Sequence, residues 1–216
     1  MGARALTDGW LVAVDFDGTV SVEDTLELLC TRYAPEATER AEAALVAGEI
    51  SLEECIRREF EPIRAEHAAL VAEAVGEARV RDGFAEFVAA ARGRGHRVVV
   101  VSSGFESLIR PVLERAGVGD LELVANDVRF SPDGTRVLFH GGARCERCGE
   151  RCKRPVVAAL DGDRPVAYVG DGWSDRCAAA DADLRFACGS LARYLDGEGL
   201  AYVPFDTFHT IREHLP

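Results

Sequence analysis

Residues 10–19 read WLVAVDFDGT, and the architecture predicted for the chain follows from them. They begin with a short apolar run rich in β-branched valine, which predicts a buried β-strand over residues 10–16. The Asp17-Gly18 pair that follows is a turn signal. Alternate side chains of an extended segment point the same way, so Asp15 and Asp17 are expected to face one site. The sequence therefore predicts a strand that ends in two neighbouring carboxylates.

The character of the chain changes after this strand. From about residue 22 to residue 78 it is rich in Ala, Glu and Leu at helical spacing. Prolines and glycines divide this segment into four expected helices. The block is too long for a simple crossover between two strands. We predict that residues 21–80 form an inserted helical cap subdomain, and that residues 1–20 and 81–216 form an α/β core.

Strands and helices alternate beyond the cap segment. Residues 97–102, RVVVVS, form a continuous β-branched run, which is typical of a parallel strand buried on both faces. Further elements are expected as strands at 121–125, 166–169 and 184–187, a hairpin over 127–139 and a last helix over 205–214. This alternation predicts an α/β fold with a doubly wound parallel sheet.

The charge of the chain restricts its partners. The 216 residues carry a formal net charge of -12 and an estimated pI of 4.9. Such a chain has no bulk attraction for nucleic acid or for an anionic membrane surface, so we expect neither as a partner. Positive charge for an anionic substrate must be local, from a metal ion, a lysine or a helix N-terminus. The composition fits a monomer and a homodimer equally.

The apolar and cysteine patterns bear on the compartment. No run of roughly 18 apolar residues occurs, so no transmembrane helix is expected. The first ten residues lack the pattern of a secretory signal. The seven cysteines are an odd number, which argues against a disulfide framework. We therefore expect a cytoplasmic protein in a reducing environment.

Other predicted strand ends and one helix start also carry unusual polar residues. Residues 102–104, Ser-Ser-Gly, offer a hydroxyl and N–H groups that suit a phosphate cradle at a helix N-terminus, or a plain N-cap. Residues 170–175, GDGWSD, place Asp171 and Asp175 where they could complete an oxygen shell for Mg²⁺. Lys153 precedes a predicted helix. Open α/β sheets bind ligands beyond the carboxyl ends of their strands, so these groups are expected to converge.

These residue types indicate phosphoryl transfer. Like charges as close as Asp15 and Asp17 are costly, and a hard divalent cation relieves that cost. A carboxylate held in this way can attack phosphorus and form an aspartyl-phosphate. A lysine beside the metal stabilises the phosphoryl transition state. Each motif alone has a plain alternative, namely a solvated turn, a helix cap or a surface charge, so the prediction depends on their joint occurrence.

Together these motifs resemble those of the haloacid dehalogenase-like superfamily of phosphatases. Residues 15–19 (DFDGT) are similar to its first motif, Ser102 to its second, Lys153 to its third and residues 170–175 to its fourth. The helical insertion resembles the cap of the phosphoserine phosphatase-like subgroup. The resemblance covers nearly the whole chain, and it implies Mg²⁺-dependent hydrolysis of a small-molecule phosphomonoester.

The resemblance also implies a role for each matching residue. Asp15 would be the nucleophile and a Mg²⁺ ligand. Asp17 would be the general acid and then the general base, with its backbone carbonyl on the metal. Lys153 would neutralise Asp15 and the phosphoryl group. The remaining roles would be phosphate binding by Ser102, Ser103 and Gly104, and metal binding by Asp171 with support from Asp175.

The resemblance extends to the substrate class. The cysteine-rich stretch before Lys153 and the closing segment 204–212 (PFDTFHTIR) are similar to phosphatases of methionine salvage. Asp24 lies where phosphoserine phosphatases usually carry a glutamate that meets the substrate's amino group. Asp24 is therefore a candidate substrate contact, and its shorter side chain disfavours serine phosphate. A methionine-salvage-type or a phosphoserine-like substrate is implied.

The cysteine-rich loop is a second candidate site. Cys145, Cys148 and Cys152 fall within eight residues, and His140 is near them in the sequence. This spacing could hold Zn²⁺ in a Cys₃His site. It could also form a redox-sensitive loop beside the lysine, or a loop of reduced cysteines with no special role. The other four cysteines, Cys177 among them, are expected to be buried apolar filler.

Two other functions fit the same residues. One is a phosphotransferase that passes the phosphoryl group to an acceptor other than water. The other is a non-catalytic binding module organised by zinc at the cysteine loop. The intact set of Asp15, Asp17, Lys153 and Asp171 argues against a binding module, because binding alone does not need Asp17.

Overall fold

The computed structural model describes residues 9–140 and 142–216 of the chain. Its strands are β1 (Leu11–Val14), β2 (Arg97–Phe105), β3 (Glu122–Arg129), β4 (Arg136–Leu138), β5 (Val166–Gly170), β6 (Leu184–Ala187) and β7 (Val203–Pro204). They form one sheet in the order β4-β3-β2-β1-β5-β6-β7. Neighbouring strands are parallel, except that β4 pairs antiparallel with β3.

Helices connect these strands. They are α1 (Thr25–Tyr33), α2 (Pro35–Val46), α3 (Leu52–Phe60), α4 (His67–Glu77), α5 (Phe84–Gly93), α6 (Glu106–Arg115), α7 (Lys153–Leu160), α8 (Arg176–Asp181), α9 (Gly189–Glu198) and α10 (Phe208–His214). A single 3-10 turn, Trp173–Asp175, precedes α8. None of the helices in the described ranges 9–140 and 142–216 is long and apolar enough to cross a membrane.

The strand β1 lies in the middle of the sheet, where all four of its residues are buried. It pairs with β2 on one side and with β5 on the other, so Ala13 lies opposite both Val99 and Tyr168. The strand order reverses at β1, which makes its carboxyl end the topological switch point where open α/β sheets bind ligands. The WLVAVDFD run therefore places its two carboxylates, Asp15 and Asp17, in the crevice between β2 and β5.

Both faces of the sheet are covered by apolar clusters. Val12 and Val14 of β1 belong to a cluster that includes Phe87 of α5 and Phe208 of α10. Leu11 and Ala13 belong instead to the cluster on the opposite face, with helices α7 and α9. Because side chains alternate along a strand, a continuous apolar run supplies both cores. This arrangement confirms the predicted doubly wound α/β class.

Helices α1 to α4 share a separate apolar cluster at one edge of the sheet. Leu29, Phe60 and Leu70 are fully buried there, and the cluster also includes Phe105 and Phe130 from the sheet side. The rings of Phe60 and Phe105 meet edge-on with centroids 4.9 Å apart. Phe105 is the last residue of β2, so the helical block sits over the carboxyl edge of the sheet.

The sequence predicted most of these elements but missed two. The four helices between β1 and α5, the strand near 97 and the hairpin after 127 are all present. Helix α9 and strand β7 were not predicted, although Leu191 and Leu195 have helical spacing and are both buried. Residues 1–8 of the predicted core lie outside the described residues.

Candidate active site

Asp15 follows β1 directly, and its backbone N–H donates to the carbonyl oxygen of Val169 in β5 at 2.9 Å. Its buried carboxylate forms an ion pair with Lys153, the first residue of α7. Lys153 is also buried, and it donates a second hydrogen bond to Asp175 Oδ1 at 2.6 Å. One ammonium group thus joins carboxylates that follow two different strands.

The surroundings of Asp15 oppose its negative charge. Burial raises the pKa of Asp15 well above its usual value, the Asp175 carboxylate raises it further, and Lys153 lowers it in part. Burial lowers the pKa of Lys153, but Asp15 and Asp175 outweigh that effect and raise the pKa above its ordinary value. The lysine therefore stays charged, and the site still favours a further cation.

Asp17 has one bonded oxygen and one free oxygen. Its Oδ1 accepts hydrogen bonds from the N–H of Thr25 at 2.8 Å and from the Thr25 hydroxyl at 2.6 Å. Its Oδ2 is buried and has no hydrogen-bond partner among the described residues. Burial and the Asp24 carboxylate raise the pKa of Asp17 to about 7, although the Thr25 bonds lower it. Such a carboxyl group can give and take a proton near neutral pH.

Asp171 and Asp175 lie in different surroundings. Asp175 Oδ1 accepts from Lys153 and from the Tyr168 hydroxyl at 2.7 Å, and its Oδ2 accepts from two backbone N–H groups at 3.1 and 2.9 Å. Asp171 is only partly buried, lines the cleft, and accepts one bond from the Thr19 hydroxyl at 3.0 Å. Asp175 therefore holds the loop and the lysine in place, whereas Asp171 has oxygen lone pairs left for a ligand.

The carboxylates fit a hard divalent cation. One oxygen each from Asp15, Asp171 and Asp175 lie within 4.8 Å of one another. Burial, followed by the charge of Asp175, raises the pKa of Asp171 as it does that of Asp15, so the group carries more negative charge than its surroundings favour. Mg²⁺ takes such oxygen ligands and would relieve this cost. Asp15 and Asp171 are the better ligands, because Asp175 already accepts four hydrogen bonds.

The predicted phosphate cradle is a strand end rather than a helix N-terminus. Strand β2 continues through residues 102–104, and α6 begins only at Glu106. The N-cap of α6 is Phe105, so the plain N-cap alternative for Ser102 is also wrong. Ser102 instead accepts the N–H of Gly104 at 2.9 Å. All three residues line the same cleft as the carboxylates.

Gly104 lies so close to Asp17 that a larger residue at position 104 would displace the Asp17 side chain. A Cβ at position 104 would be 2.7 Å from Asp17 Oδ2 and 3.1 Å from Ser102 Oγ. We expect Gly104→Ala to lower kcat/KM for phosphate release by about 10- to 100-fold, because small displacements of reacting groups cost that much. The matched control is Gly93→Ala, where a Cβ meets nothing within 4 Å. Equal kcat/KM in the two variants would contradict this close approach.

The amino-acid composition singles out Lys153 independently of the motif spacing. It is the only lysine in the chain, whose other 24 basic residues are arginines. Arginine is a broad planar group, whereas lysine ends in a compact ammonium group. The compact ammonium group of Lys153 pairs with both buried carboxylates, Asp15 and Asp175. A lone lysine in an arginine-rich chain is therefore a candidate site residue by composition alone.

A cleft of about 290 Å³ opens over these groups, a volume close to the lower end of the range for small-molecule sites. Its sheet side consists of the residues described above. Its other side comes from α1 to α3 and carries apolar side chains and acids, namely Leu26, Leu45, Leu52, Ile56, Glu27, Glu42 and Glu59. Lys153 is the one basic side chain among the described residues that line it.

Asp24 lines this cleft, as predicted for a substrate contact, but it also has a structural role. Its Oδ1 accepts the N–H groups of Leu26 and Glu27 at 2.8 and 3.0 Å, so it caps the N-terminus of α1. An N-cap aspartate of this kind stabilises a helix by about 1 kcal/mol. The contact of Asp24 with substrate stays a prediction.

Sequence reasoning missed Arg81, which holds the turn after β1. Its guanidinium donates to the carbonyl oxygens of Gly18 at 2.6 Å and Thr19 at 2.7 Å, and to that of Asp206 at 3.1 Å. Gly18 has a φ of +76°, and a Cβ there would lie 2.4 Å from an Asp171 oxygen. Arg81 thus fixes the tight turn that brings the first and fourth motifs together. One arginine among 24 gives no signal in the sequence.

The cysteine-rich loop forms a compact thiol group with a different fourth member from the one predicted. Its three cysteines lie together with Cys177 of α8. His140 is exposed and outside the group, and its backbone N–H donates to Asn126 Oδ1 at 3.2 Å. The prediction of His140 as the fourth ligand is therefore wrong. The assignment of Cys177 to apolar filler is also wrong, because its thiol meets the other three.

The doubly wound sheet, the carboxylates at its switch point and the buried lysine define a class of enzyme. The family model of the haloacid dehalogenase-like hydrolases matches residues 12–180, which span all four motifs. The chain therefore belongs to the haloacid dehalogenase-like hydrolase family. The predicted membership is confirmed, and so is the prediction that the protein is an enzyme, a phosphoric monoester hydrolase.

Curated relatives cover the chain almost from end to end. A 2-hydroxy-3-keto-5-methylthiopentenyl-1-phosphate phosphatase from Microcystis aeruginosa (strain NIES-843) is 28% identical over 205 residues, which are 95% of this chain and 97% of that protein. An enzyme of the same name from Bacillus cereus (strain B4264) is 26% identical, and the match covers 94% of each chain.

Solved structures share the fold. A substrate-bound phosphoserine phosphatase has a TM-score of 0.73 at 20% identity, with 97% of this chain and 100% of that chain covered. A haloacid dehalogenase family hydrolase from Salmonella enterica serovar Typhi has a TM-score of 0.76 at 13% identity, with 99% and 73% covered. At these identities the likeness supports the architecture alone.

Proposed function

We propose that this phosphatase hydrolyses small phosphomonoesters with Mg²⁺ through an aspartyl-phosphate at Asp15. The observation that carries the proposal is the buried pair of Asp15 and Lys153 beside an Asp17 whose Oδ2 is free. A purely structural ion pair would not need a second carboxyl group with a pKa near 7 at the same strand end.

In the first half of the reaction Asp15 acts as the nucleophile. A carboxylate oxygen of Asp15 forms a bond to phosphorus, and the bond between phosphorus and the ester oxygen breaks. The leaving alkoxide takes the proton held by Asp17. Lys153 stays paired with the Asp15 carboxylate and balances the charge on the phosphoryl oxygens. The Ser102 hydroxyl and the N–H of Ser103 bind those oxygens, and the Gly104 N–H orients the Ser102 hydroxyl.

In the second half water replaces the alcohol. A water molecule attacks phosphorus, and Asp17, now a carboxylate, takes one of its protons. The acyl-phosphate bond breaks, which returns Asp15 as a carboxylate and releases inorganic phosphate. The proton on Asp17 then resets the site for the next substrate. One residue thus serves both halves, as its pKa of about 7 allows.

The carboxylates of Asp15 and Asp171 and the backbone carbonyl of Asp17 would hold Mg²⁺, with Asp175 in support. A bound Mg²⁺ supplies Lewis-acid stabilisation of charge on the phosphoryl oxygens. We further propose that residues 21–80 act as a cap over the core, since its side chains line one wall of the cleft. A cytoplasmic location and a monomeric or homodimeric state stay predictions, as does the lack of nucleic-acid and membrane partners.

For the substrate we propose a phosphomonoester with an apolar body and no carboxylate. Several curated relatives are named for 2-hydroxy-3-keto-5-methylthiopentenyl-1-phosphate, whose methylthio end is apolar. The cap wall of the cleft combines leucine and isoleucine side chains with glutamates. A substrate carboxylate there would meet like charges and no arginine among the described lining residues. The lack of a basic partner for its carboxylate on this wall disfavours phosphoserine, in agreement with the short Asp24.

Comparison of the two substrates tests this assignment. We expect kcat/KM for 2-hydroxy-3-keto-5-methylthiopentenyl-1-phosphate to exceed that for phosphoserine by at least about 100-fold, because an unpaired buried carboxylate costs a few kcal/mol. The measurement is phosphate release with Mg²⁺ at equal enzyme concentration. Faster hydrolysis of phosphoserine would overturn the substrate class and leave the phosphatase chemistry intact. Phosphorylated product from an added alcohol, in place of free phosphate, would instead indicate the phosphotransferase.

A further inference from the structure

The cluster of four cysteine thiols next to Lys153 has the dimensions of a metal site. The four sulfur atoms of Cys145, Cys148, Cys152 and Cys177 lie within 4.8 Å of one another. In a tetrahedral zinc site with bonds of about 2.3 Å, neighbouring sulfurs are about 3.8 Å apart. Three of the cysteines come from one loop and the fourth from α8, so the group joins two separate segments.

The loop around Cys145 is folded as a tight turn that places donors near sulfur. The N–H of Cys145 donates to the carbonyl oxygen of Glu150 at 2.7 Å, and the N–H of Gly149 donates to that of Cys145 at 2.8 Å. Within this turn the backbone N–H groups of Arg147 and Cys148 lie near the Cys145 sulfur. Neutral thiols are weak acceptors, so this convergence of donors suits a thiolate.

The charges nearby also suit a cluster of thiolates. Residues 142–154 hold five basic residues and two acids, in a chain whose net charge is -12. The Arg154 guanidinium lies near the Cys145 sulfur, and it pairs with Asp181. A zinc ion with four thiolates carries two net negative charges, which such side chains would balance.

We propose that Cys145, Cys148, Cys152 and Cys177 bind one Zn²⁺ as a closed structural site. Four sulfur ligands with no open position are typical of structural rather than catalytic zinc. Thiolates prefer such soft or borderline ions over Mg²⁺, so the two metals would not compete. The proposal concerns the fold around the lysine and does not depend on the phosphatase substrate.

The position of this site links it to the active site. Cys152 immediately precedes Lys153, and Cys177 follows Asp175 by two residues. Lys153 and Asp175 share a hydrogen bond of 2.6 Å. Zinc would therefore link the start of α7 to the start of α8 close to that hydrogen bond. This link would hold the Lys153 ammonium group between the carboxylates of Asp15 and Asp175.

Metal analysis of the native protein tests the site. The full chain, purified without chelator or an immobilised metal, should contain about one zinc per chain by elemental analysis and native mass spectrometry. We expect the Cys148→Ser variant to contain at most about one tenth of the zinc found in the native protein. Cys188→Ser is the matched control, because Cys188 is also half-buried but lies outside the group. A native protein without zinc, with another metal, or with these cysteines in disulfides would overturn the proposal.

The single lysine provides a readout of the link to the active site. We expect zinc removal to raise the rate of Lys153 acylation by an amine-reactive reagent at least about tenfold, located by peptide mass spectrometry. The buried ammonium group should otherwise be protected. If zinc is present but its removal leaves the acylation rate unchanged, zinc does not position Lys153. This readout does not require a known substrate.

Discussion

Asp15→Asn is expected to lower kcat for phosphate release by at least about 10,000-fold, because it removes the nucleophile while keeping the shape of the side chain. An asparagine amide cannot form an acyl-phosphate. The residual rate should come only from binding and from the charges of Lys153 and the metal. Phosphate release from a panel of phosphomonoesters with Mg²⁺ measures this effect directly.

The control for Asp15→Asn is Asp183→Asn, whose carboxylate accepts the N–H of Val166 in the core strand β5 at 2.8 Å. That residue lies at the opposite end of β5, so its variant should keep wild-type kcat. Circular dichroism should show that both variants fold. Wild-type activity in Asp15→Asn would mean that the nucleophile is another group, and the proposed mechanism would fail.

The fold was predictable where a strand is buried on both faces, because such a strand needs a continuous run of apolar residues. The LVAV and RVVVV runs are apolar because each strand is covered on both faces. Boundaries were less predictable, as residues 102–104 show. A Ser-Ser-Gly sequence favours a turn or a cap by propensity, and here it forms an irregularity within β2, between the pairs that Val101 and Phe105 make with β3. The short helix α9 had the right spacing but followed no strong start signal.

The carboxylates of the candidate site were predictable because strand ends converge at the switch point. Their electrostatics were not. The pKa of Asp17 depends on burial and on Asp24, and neither its depth nor its free Oδ2 can be read from residue types. The membership of the cysteine cluster was likewise not predictable from the sequence. Cys177 lies 25 residues beyond Cys152 in a short helix, and only the packing of α8 against α7 brings the sulfurs together.

Asp17→Asn is expected to separate the two halves of the reaction. Without the proton donor, kcat for an alkyl phosphate should fall by about 100- to 10,000-fold. An ester such as p-nitrophenyl phosphate needs no proton on its leaving group, so the first half should still proceed. We therefore expect a burst of nitrophenol of about one equivalent, followed by slow turnover, because the second half lacks its base. Asp15→Asn should show no burst, and a burst there would contradict these roles.

The same residue predicts the pH dependence of the native enzyme. Asp17 must be protonated in the free enzyme to serve as the acid, and its pKa is about 7. For alkyl phosphates, kcat/KM should thus be present below pH 7 and decline as the pH rises through 7. In Asp17→Asn this decline should disappear. A native profile that rises through pH 7 would contradict the assignment of Asp17 as the acid.

Asp17→Asn should raise stability although it lowers activity, because a buried carboxylate costs free energy when it ionises. The pKa of Asp17 is raised from 3.8 to about 7, so its folded form holds the proton more tightly than the unfolded form. That contribution to stability is complete below about pH 4 and is lost as the pH rises to 7. Each tenfold change in acidity is worth about 1.4 kcal/mol, which bounds the loss at about 4 kcal/mol.

Asp17→Asn should therefore raise the free energy of unfolding above pH 7, and much less at pH 4, in urea titrations without added Mg²⁺. An unchanged or lower stability at pH 8 would mean that Asp17 is not held in a costly, desolvated state for catalysis.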